Sequence, residues 1–204
     1  MRWIVVIMRQ ETGSNLISDN KKVSIQVKLG GRSFSADKVV VAEDTEQVEF
    51  VVDTPRVILA PREEVSLDTA SELLRIVGKP CRSNELSVCS ELQADIVAIM
   101  AIDADALTSI IAKWGGRAIF TSPLLDMRHS EVSCLTINES DKVCYMRLFD
   151  GGLQRAEAFD ATTPEDILYL VGEWLNDKAT PIYIKGGSET VKLIRKYYKQ
   201  VICE

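Results

Sequence analysis

Apolar and polar residues change rhythm several times along this chain, and each change marks an element. Residues 23–27, Val-Ser-Ile-Gln-Val, alternate with period two and predict a strand with Val23, Ile25 and Val27 on one face. Leu29-Gly30-Gly31-Arg32 reads as a turn and Ser33-Phe34-Ser35-Ala36 as the returning strand, a hairpin built on glycines. Further strands are expected over 38–42, 47–52 and 56–60, all rich in valine and isoleucine and broken by Asp-Thr or Asp-Thr-Pro. The period then lengthens. Ser66 is a candidate N-cap for a helix with Leu67, Ala70, Leu73, Leu74 and Val77 along one stripe and Gly78 and Pro80 as its stop. Residues 95–102 make another apolar strand, and Asp103 caps a second helix whose stripe is Leu107, Ile110, Ile111 and Trp114, ended by Gly115-Gly116. A short strand over 117–121 closes the first half.

The second half is patterned more cleanly. Strands over 132–137, 143–149 and 153–159 are joined by Asn-Glu-Ser-Asp and Asp-Gly-Gly, turns short enough to force an antiparallel meander. Thr163-Pro164-Glu165-Asp166 then starts a helix with a hydroxyl cap, proline in the first turn and acids beside the positive end of the dipole. Its buried face is Ile167, Leu168, Leu170, Val171, Trp174 and Leu175. Residues 181–185 form a buried strand, Gly186-Gly187-Ser188 leads into a last helix carrying Val191, Leu193, Ile194 and Tyr197, and 201–203 add a terminal strand. Three strands, helix, strand, helix is the order here, and the first half can be written in nearly the same order. The opening strands at Val23 and Val132 stand about half a chain length apart, as a duplicated unit requires, though no residue-level repeat accompanies the pattern.

Composition narrows the functional classes. With 204 residues, the chain is one large domain or two small, closely packed ones. At 46% hydrophobic and 26% charged residues it is neither disordered, collagenous nor a coiled coil. A net charge of −6 removes the positive footprint of a protein that neutralises phosphates, so nucleic acid is not an expected partner. The longest apolar runs, 3–8 and 96–102, fall far short of the ~18 residues of a membrane span. The first of them, flanked by Arg2 and Arg9, reads as a strand or ordered tail, or an over-extended start, separated from the fold by polar turn-formers. Five cysteines without a Cys-x-x-Cys argue against a disulfide framework or a zinc site and suit a reducing cytoplasm. Cys134 and Cys144 flank the second-half hairpin turn at comparable distances and are read as neighbouring small buried hydrophobes. His129, the sole histidine, has no Cys or second His near it in sequence and reads as a loop residue. Glu63-Glu64 and Glu43-Asp44 read as solvated pairs. The cluster Lys192, Arg195, Lys196 and Lys199 beside Tyr197 and Tyr198 suits either an acidic partner or the helix dipole.

Two stretches carry a resemblance. The hairpin of residues 23–35, and the run from Phe149-Asp150-Gly151-Gly152-Leu153 through Glu165-Asp166-Ile167-Leu168-Tyr169-Leu170 to Ile182-Tyr183-Ile184-Lys185-Gly186-Gly187, resemble an uncharacterised bacterial family of the actin-like ATPase fold. That superfamily includes actin, the Hsp70 chaperones, sugar and acetate kinases, and cytoplasmic actin-like components of pilus and secretion machines. The resemblance covers roughly residues 22–204. It implies an α/β fold of two ribonuclease-H-like lobes, with mixed sheets and flanking helices, in a minimal actin-like arrangement. Residues 1–21 would be an N-terminal strand or tail, 22–122 the first lobe and 123–204 the second.

The resemblance also says where a nucleotide would sit. In active members each half opens with a strand-turn-strand in which an acid and a glycine stand beside the phosphates, and a diglycine after a later strand packs beside the adenosine. The corresponding positions here are Gly30 and Gly31 in the first half, Asn138 and Ser140 in the second, and Gly186 and Gly187 for the adenosine. Lysine, at Lys28, and asparagine, at Asn138, stand where the acids would be, and Ser140 replaces a glycine. Glu139 or Asp141 substitutes only if the register differs by one or three residues, and a one-residue slip sends a side chain to the other sheet face. Both diglycines also have a conformational reading, as a hairpin turn and as a strand-to-helix turn needing positive φ or close approach. No catalytic or metal-binding residue is assigned. Two functions follow: a non-catalytic actin-like scaffold or interaction protein of the cytoplasm, with a protein partner or a second copy of itself and no cofactor, or a nucleotide-binding ATPase or small-molecule kinase with atypical phosphate loops, using ATP and magnesium.

Overall fold

The computed structural model describes residues 22–28, 42, 45–140, 142–161 and 163–204. Along it run β1 (Lys22–Lys28), β2 (Gln47–Asp53), β3 (Val57–Pro61), α1 (Ala70–Ile76), β4 (Glu85–Cys89), β5 (Ile96–Asp103), α2 (Ala104–Trp114) and β6 (Ala118–Thr121). There follow β7 (Cys134–Glu139), β8 (Val143–Phe149), β9 (Leu153–Asp160), α3 (Pro164–Trp174), β10 (Ile182–Lys185), α4 (Ser188–Ile194) and β11 (Val201–Cys203). The chain divides into two compact units, one of Met1–Arg56 with Ala60–Ser122, the other of Val57–Leu59 with Pro123–Glu204. The expected tail, the strand over 33–36, all but Ala42 of the strand over 38–42, and the pair Glu43-Asp44 lie outside the described residues, and Ala42 is not in a strand. No helix among the described residues is long and apolar enough to cross a membrane.

In the first unit, β2 shows why alternation makes a strand. Val48, Phe50 and Val52 are fully buried while Gln47, Glu49 and Val51 stay partly open. The strand lies between β1 and β6 and parallel to both, with Phe50 opposite Ile25 on one side and Phe120 on the other. Phe50 also packs 5.1 Å from the Trp114 ring. In a second sheet β5 pairs antiparallel with β4. From Val97 to Ile102 β5 is apolar and fully buried, as a strand covered on both faces must be. Asp103 caps α2 as expected, accepting from Asp105 N at 3.1 Å and Ala106 N at 3.0 Å, and Gly115 ends the helix with φ +53°.

Two expectations for this half need correction, and one strand was missed. The strand over 95–102 forms as β5. It pairs antiparallel with β4, whose short Glu-Leu-Ser-Val-Cys pattern carries too few apolar positions to announce itself, and the parallel neighbours of β1 and β2 come from β2 and β6. The helix after Ser66 begins only at Ala70, because Ser66 and Thr69 close a turn on each other: Ser66 N donates to Thr69 Oγ1 at 3.1 Å and the hydroxyls lie 2.9 Å apart. Leu67 thus falls before the helix and Val77 after its last residue, and both are exposed, as is Ile111 of the second predicted stripe.

The second unit follows its pattern closely. Its sheet has the order β11-β10-β7-β8-β9, with β7, β8 and β9 an antiparallel meander and β7, β10 and β11 parallel. Leu135, Ile137, Cys144, Met146, Ile182 and Ile184 form one face, which α3 and α4 cover with Ile167, Val171, Trp174, Val191 and Ile194. A reciprocal capping box starts α3: Asp166 N donates to Thr163 Oγ1 at 3.2 Å and Thr163 N to Asp166 Oδ2 at 2.9 Å. Leu168 and Leu170 are only partly buried. The last helix stops at Ile194, so Tyr198 rather than Tyr197 turns inward. Cys134 and Cys144 are both buried and free but are not neighbours: the register sets Cys134 opposite Phe149 and Cys144 opposite Glu139, at opposite ends of the ladder.

Candidate functional site

The residues singled out for nucleotide binding are brought together only in part. Gly30, Gly31 and Asp141 lie outside the described residues, and Lys28 is the last residue of β1. Asn138, Ser140, Gly186 and Gly187 belong to the second unit, where β7 and β10 run side by side with Asn138 in register with Lys185. Ser140 follows β7, and its N–H donates to Val143 O at 2.8 Å, closing the β7–β8 hairpin. That donor is spent on the turn, whereas a phosphate cradle needs backbone N–H groups aimed outward.

Strand parity decides what stands over the diglycine. Side chains alternate across β7, so Glu139 shares the helix-covered face with Leu135 and Ile137, while Asn138 goes with Thr136 to the other. It is Glu139 that reaches the turn between β10 and α4. Its Oε2 accepts from Gly187 N at 2.8 Å and its Oε1 from the buried Thr190 hydroxyl at 3.1 Å. A carboxylate bonded to backbone N–H at a helix start is a stable arrangement, since those first donors have no partner within the helix. The approach is close enough to demand glycine. A Cβ on Gly186 would lie 2.4 Å from Glu139 Oε2 and 2.9 Å from Glu139 Cβ. Neither Gly186 nor Gly187 has positive φ, so close approach alone is the conformational reason for the pair. Glu139 also acts on its cross-strand partner: burial, and after it the Glu139 charge, push the Cys144 thiol up to about 12.

A second polar cluster was not anticipated from sequence. Arg147 sits in the apolar run of β8 and is almost wholly buried, its Nε donating to Thr136 Oγ1 at 2.8 Å and its Nη1 to Pro123 O. Asp126 lies 3.9 Å from that guanidinium and is held by Arg128, Nη2 to Oδ2 at 2.6 Å. Burial pushes the Asp126 carboxyl up, but the Arg128 hydrogen bond and the Arg147 and Arg128 charges outweigh it, leaving it below the usual range. His129 stacks on Tyr183 with ring centroids 4.0 Å apart, and its Nε2 lies 2.6 Å from Glu204 Oε1, so the loop histidine is held within the unit. The only signal for this cluster in the sequence is an arginine inside Val-Cys-Tyr-Met-Arg-Leu-Phe. Among the described residues no three of His, Cys, Asp and Glu are grouped to hold a metal ion.

No family model matches the sequence, and no curated protein is significantly similar to it. Among solved structures, the chain is similar to a protein from Bacteroides thetaiotaomicron with an actin-like ATPase fold and unknown function. The TM-score is 0.65 and the identity 20%, over 78% of this chain and 69% of that one. The cytoplasmic domain of EpsL, an inner membrane component of the type II secretion system of Vibrio cholerae, matches at TM-score 0.44 and 10% identity, over 90% and 85% of the two chains. AlfA from a B. subtilis plasmid, in its filament structure, matches at TM-score 0.38 and 11% identity; this chain covers 54% of it and 78% of itself. The fold of this chain is the actin-like ATPase fold.

Proposed function

We infer that this chain is a non-catalytic protein of the actin-like fold that works as a scaffold or interaction partner. The observation that carries the reading is the Glu139 carboxylate on Gly187 N and Thr190 Oγ1. In the resemblance that Gly186-Gly187 supports, the adenosine packs beside this turn. Here the chain's own Glu139 side chain lies against that turn and already occupies the Gly187 N–H, the place the adenosine would take. Ser140 N, spent on Val143 O, points the same way, as does the neutral Asn138 where an acid would organise magnesium. Phosphoryl transfer depends on metal and preorganised charge at the transferred group, and Asn138 supplies neither.

A steady-state ATPase assay with magnesium, run on wild type beside Asn138→Ala, tests the reading. Turnover at background in both is the expected result. Robust wild-type turnover that Asn138→Ala abolishes would overturn it and establish the ATPase or kinase alternative.

A further inference from the structure

The last two helices turn opposite charges to solvent. On α3 the exposed positions include Glu165, Asp166, Tyr169 and Glu173, with no cation among them. On α4 and the turn after it they include Lys192, Arg195, Lys196 and Tyr197, with Glu189 the one acid. The helix dipole accounts for Glu165 and Asp166 in the first turn of α3 and for Lys192 in the last turn of α4. It does not account for Glu173, an acid at the end of α3 where a dipole would favour a cation. The two helices pack on each other, yet among the described residues Glu165, Glu173, Lys192 and Lys196 take part in no ion pair. The same exposed stretches carry two open aromatic rings, Tyr169 at 67% and Tyr197 at 51% exposure, the residue type that anchors protein interfaces.

We propose that the outer face of α3 and α4 is a self-complementary surface that binds a second copy of this chain. A uniformly acidic partner would suit α4 and be repelled by α3, and a uniformly basic one the reverse. The matching surface must carry both signs side by side, and this chain does. A two-fold axis along the seam between the helices sets α3 of one copy opposite α4 of the other twice over, which is the isologous geometry of a closed dimer. The two tyrosines then lie inside the contact, and the lysines and glutamates form its rim. Because the rim is electrostatic, association weakens as salt is raised. The proposal rests on the interaction-protein reading and supplies the partner that reading leaves open.

Sedimentation velocity of the full chain, at low and high salt, tests it together with two charge-reversed variants. Wild type is expected to be dimeric at ~0.1 mM and to dissociate as salt rises. Glu165→Lys with Glu173→Lys makes both helices basic, and Lys192→Glu with Lys196→Glu makes both acidic; each variant should lose association at least about tenfold. Mixing the two should restore a heterodimer, since every contact is then again opposite in sign. All four positions are exposed, and the salt dependence of wild type stands as a test without any variant. A wild-type monomer, variants that dimerise as before, or a mixture that stays monomeric would overturn the proposal. A monomer that is also unmoved by Mg·ATP leaves the non-catalytic reading intact, whereas ATP turnover in a dimer would sink that reading and not this one.

Discussion

At the scale of single residues, Glu139 and Gly186 define each other. The carboxylate reaches Gly187 N only because Gly186 has no side chain, with Oε2 2.4 Å from where its Cβ would be. Gly186→Ala should therefore destabilise the protein, and should cost less when Glu139 is already glycine, because both atoms it meets, Oε2 and Cβ, are gone. A double-mutant cycle on thermal or urea unfolding should give a coupling of roughly 0.5–3 kcal/mol; additive costs would mean that Glu139 does not occupy the turn. Asp126 makes a pH-dependent contribution. Its pKa is depressed in the folded state, so the stabilisation is present above the unfolded value of ~3.9 and is lost as pH falls through the folded value. Asp126→Asn should lower the melting temperature by a few degrees near neutral pH, and the gap should close in acid. A gap that persists unchanged in acid would assign the loss to packing instead.

At the scale of elements, the capping box at Thr163 is the most self-contained. Thr163→Ala removes the acceptor for Asp166 N and should cost ~1 kcal/mol by chemical denaturation, with Thr163→Ser restoring most of it. This element was legible in sequence because all its determinants are local: hydroxyl, proline and acid within four residues, followed by apolar positions at helical spacing. The meander was legible for the same reason, since short turns fix both partner and direction. What could not be read depends on distant partners. Residues 95–102 announce a buried strand but not which strand lies beside it, and β4 is too short to signal at all. Ser66 looks like a cap until Thr69 competes for it. The site was half legible: Gly186-Gly187 stands out in the sequence, but which of Asn138 and Glu139 faces it depends on the parity of β7, set by pairing with β8 and β10. Arg147 was visible only as an oddity in an apolar strand, because its partners Thr136, Pro123 and Asp126 come from other segments.

At the scale of the whole molecule, the actin-like fold supplies a scaffold on which nucleotide chemistry is common, and fold alone does not confer it. In the second unit Glu139 is an internal ligand of the diglycine turn. The central claim is that the chain closes this place with Glu139 and takes no nucleotide there. Its most direct test is the melting temperature of wild type with and without saturating ATP and magnesium. A site filled a hundredfold over its Kd would stabilise the fold by about 2.7 kcal/mol. The account predicts an unmoved melting temperature in wild type, and a nucleotide-dependent rise of several degrees would contradict it.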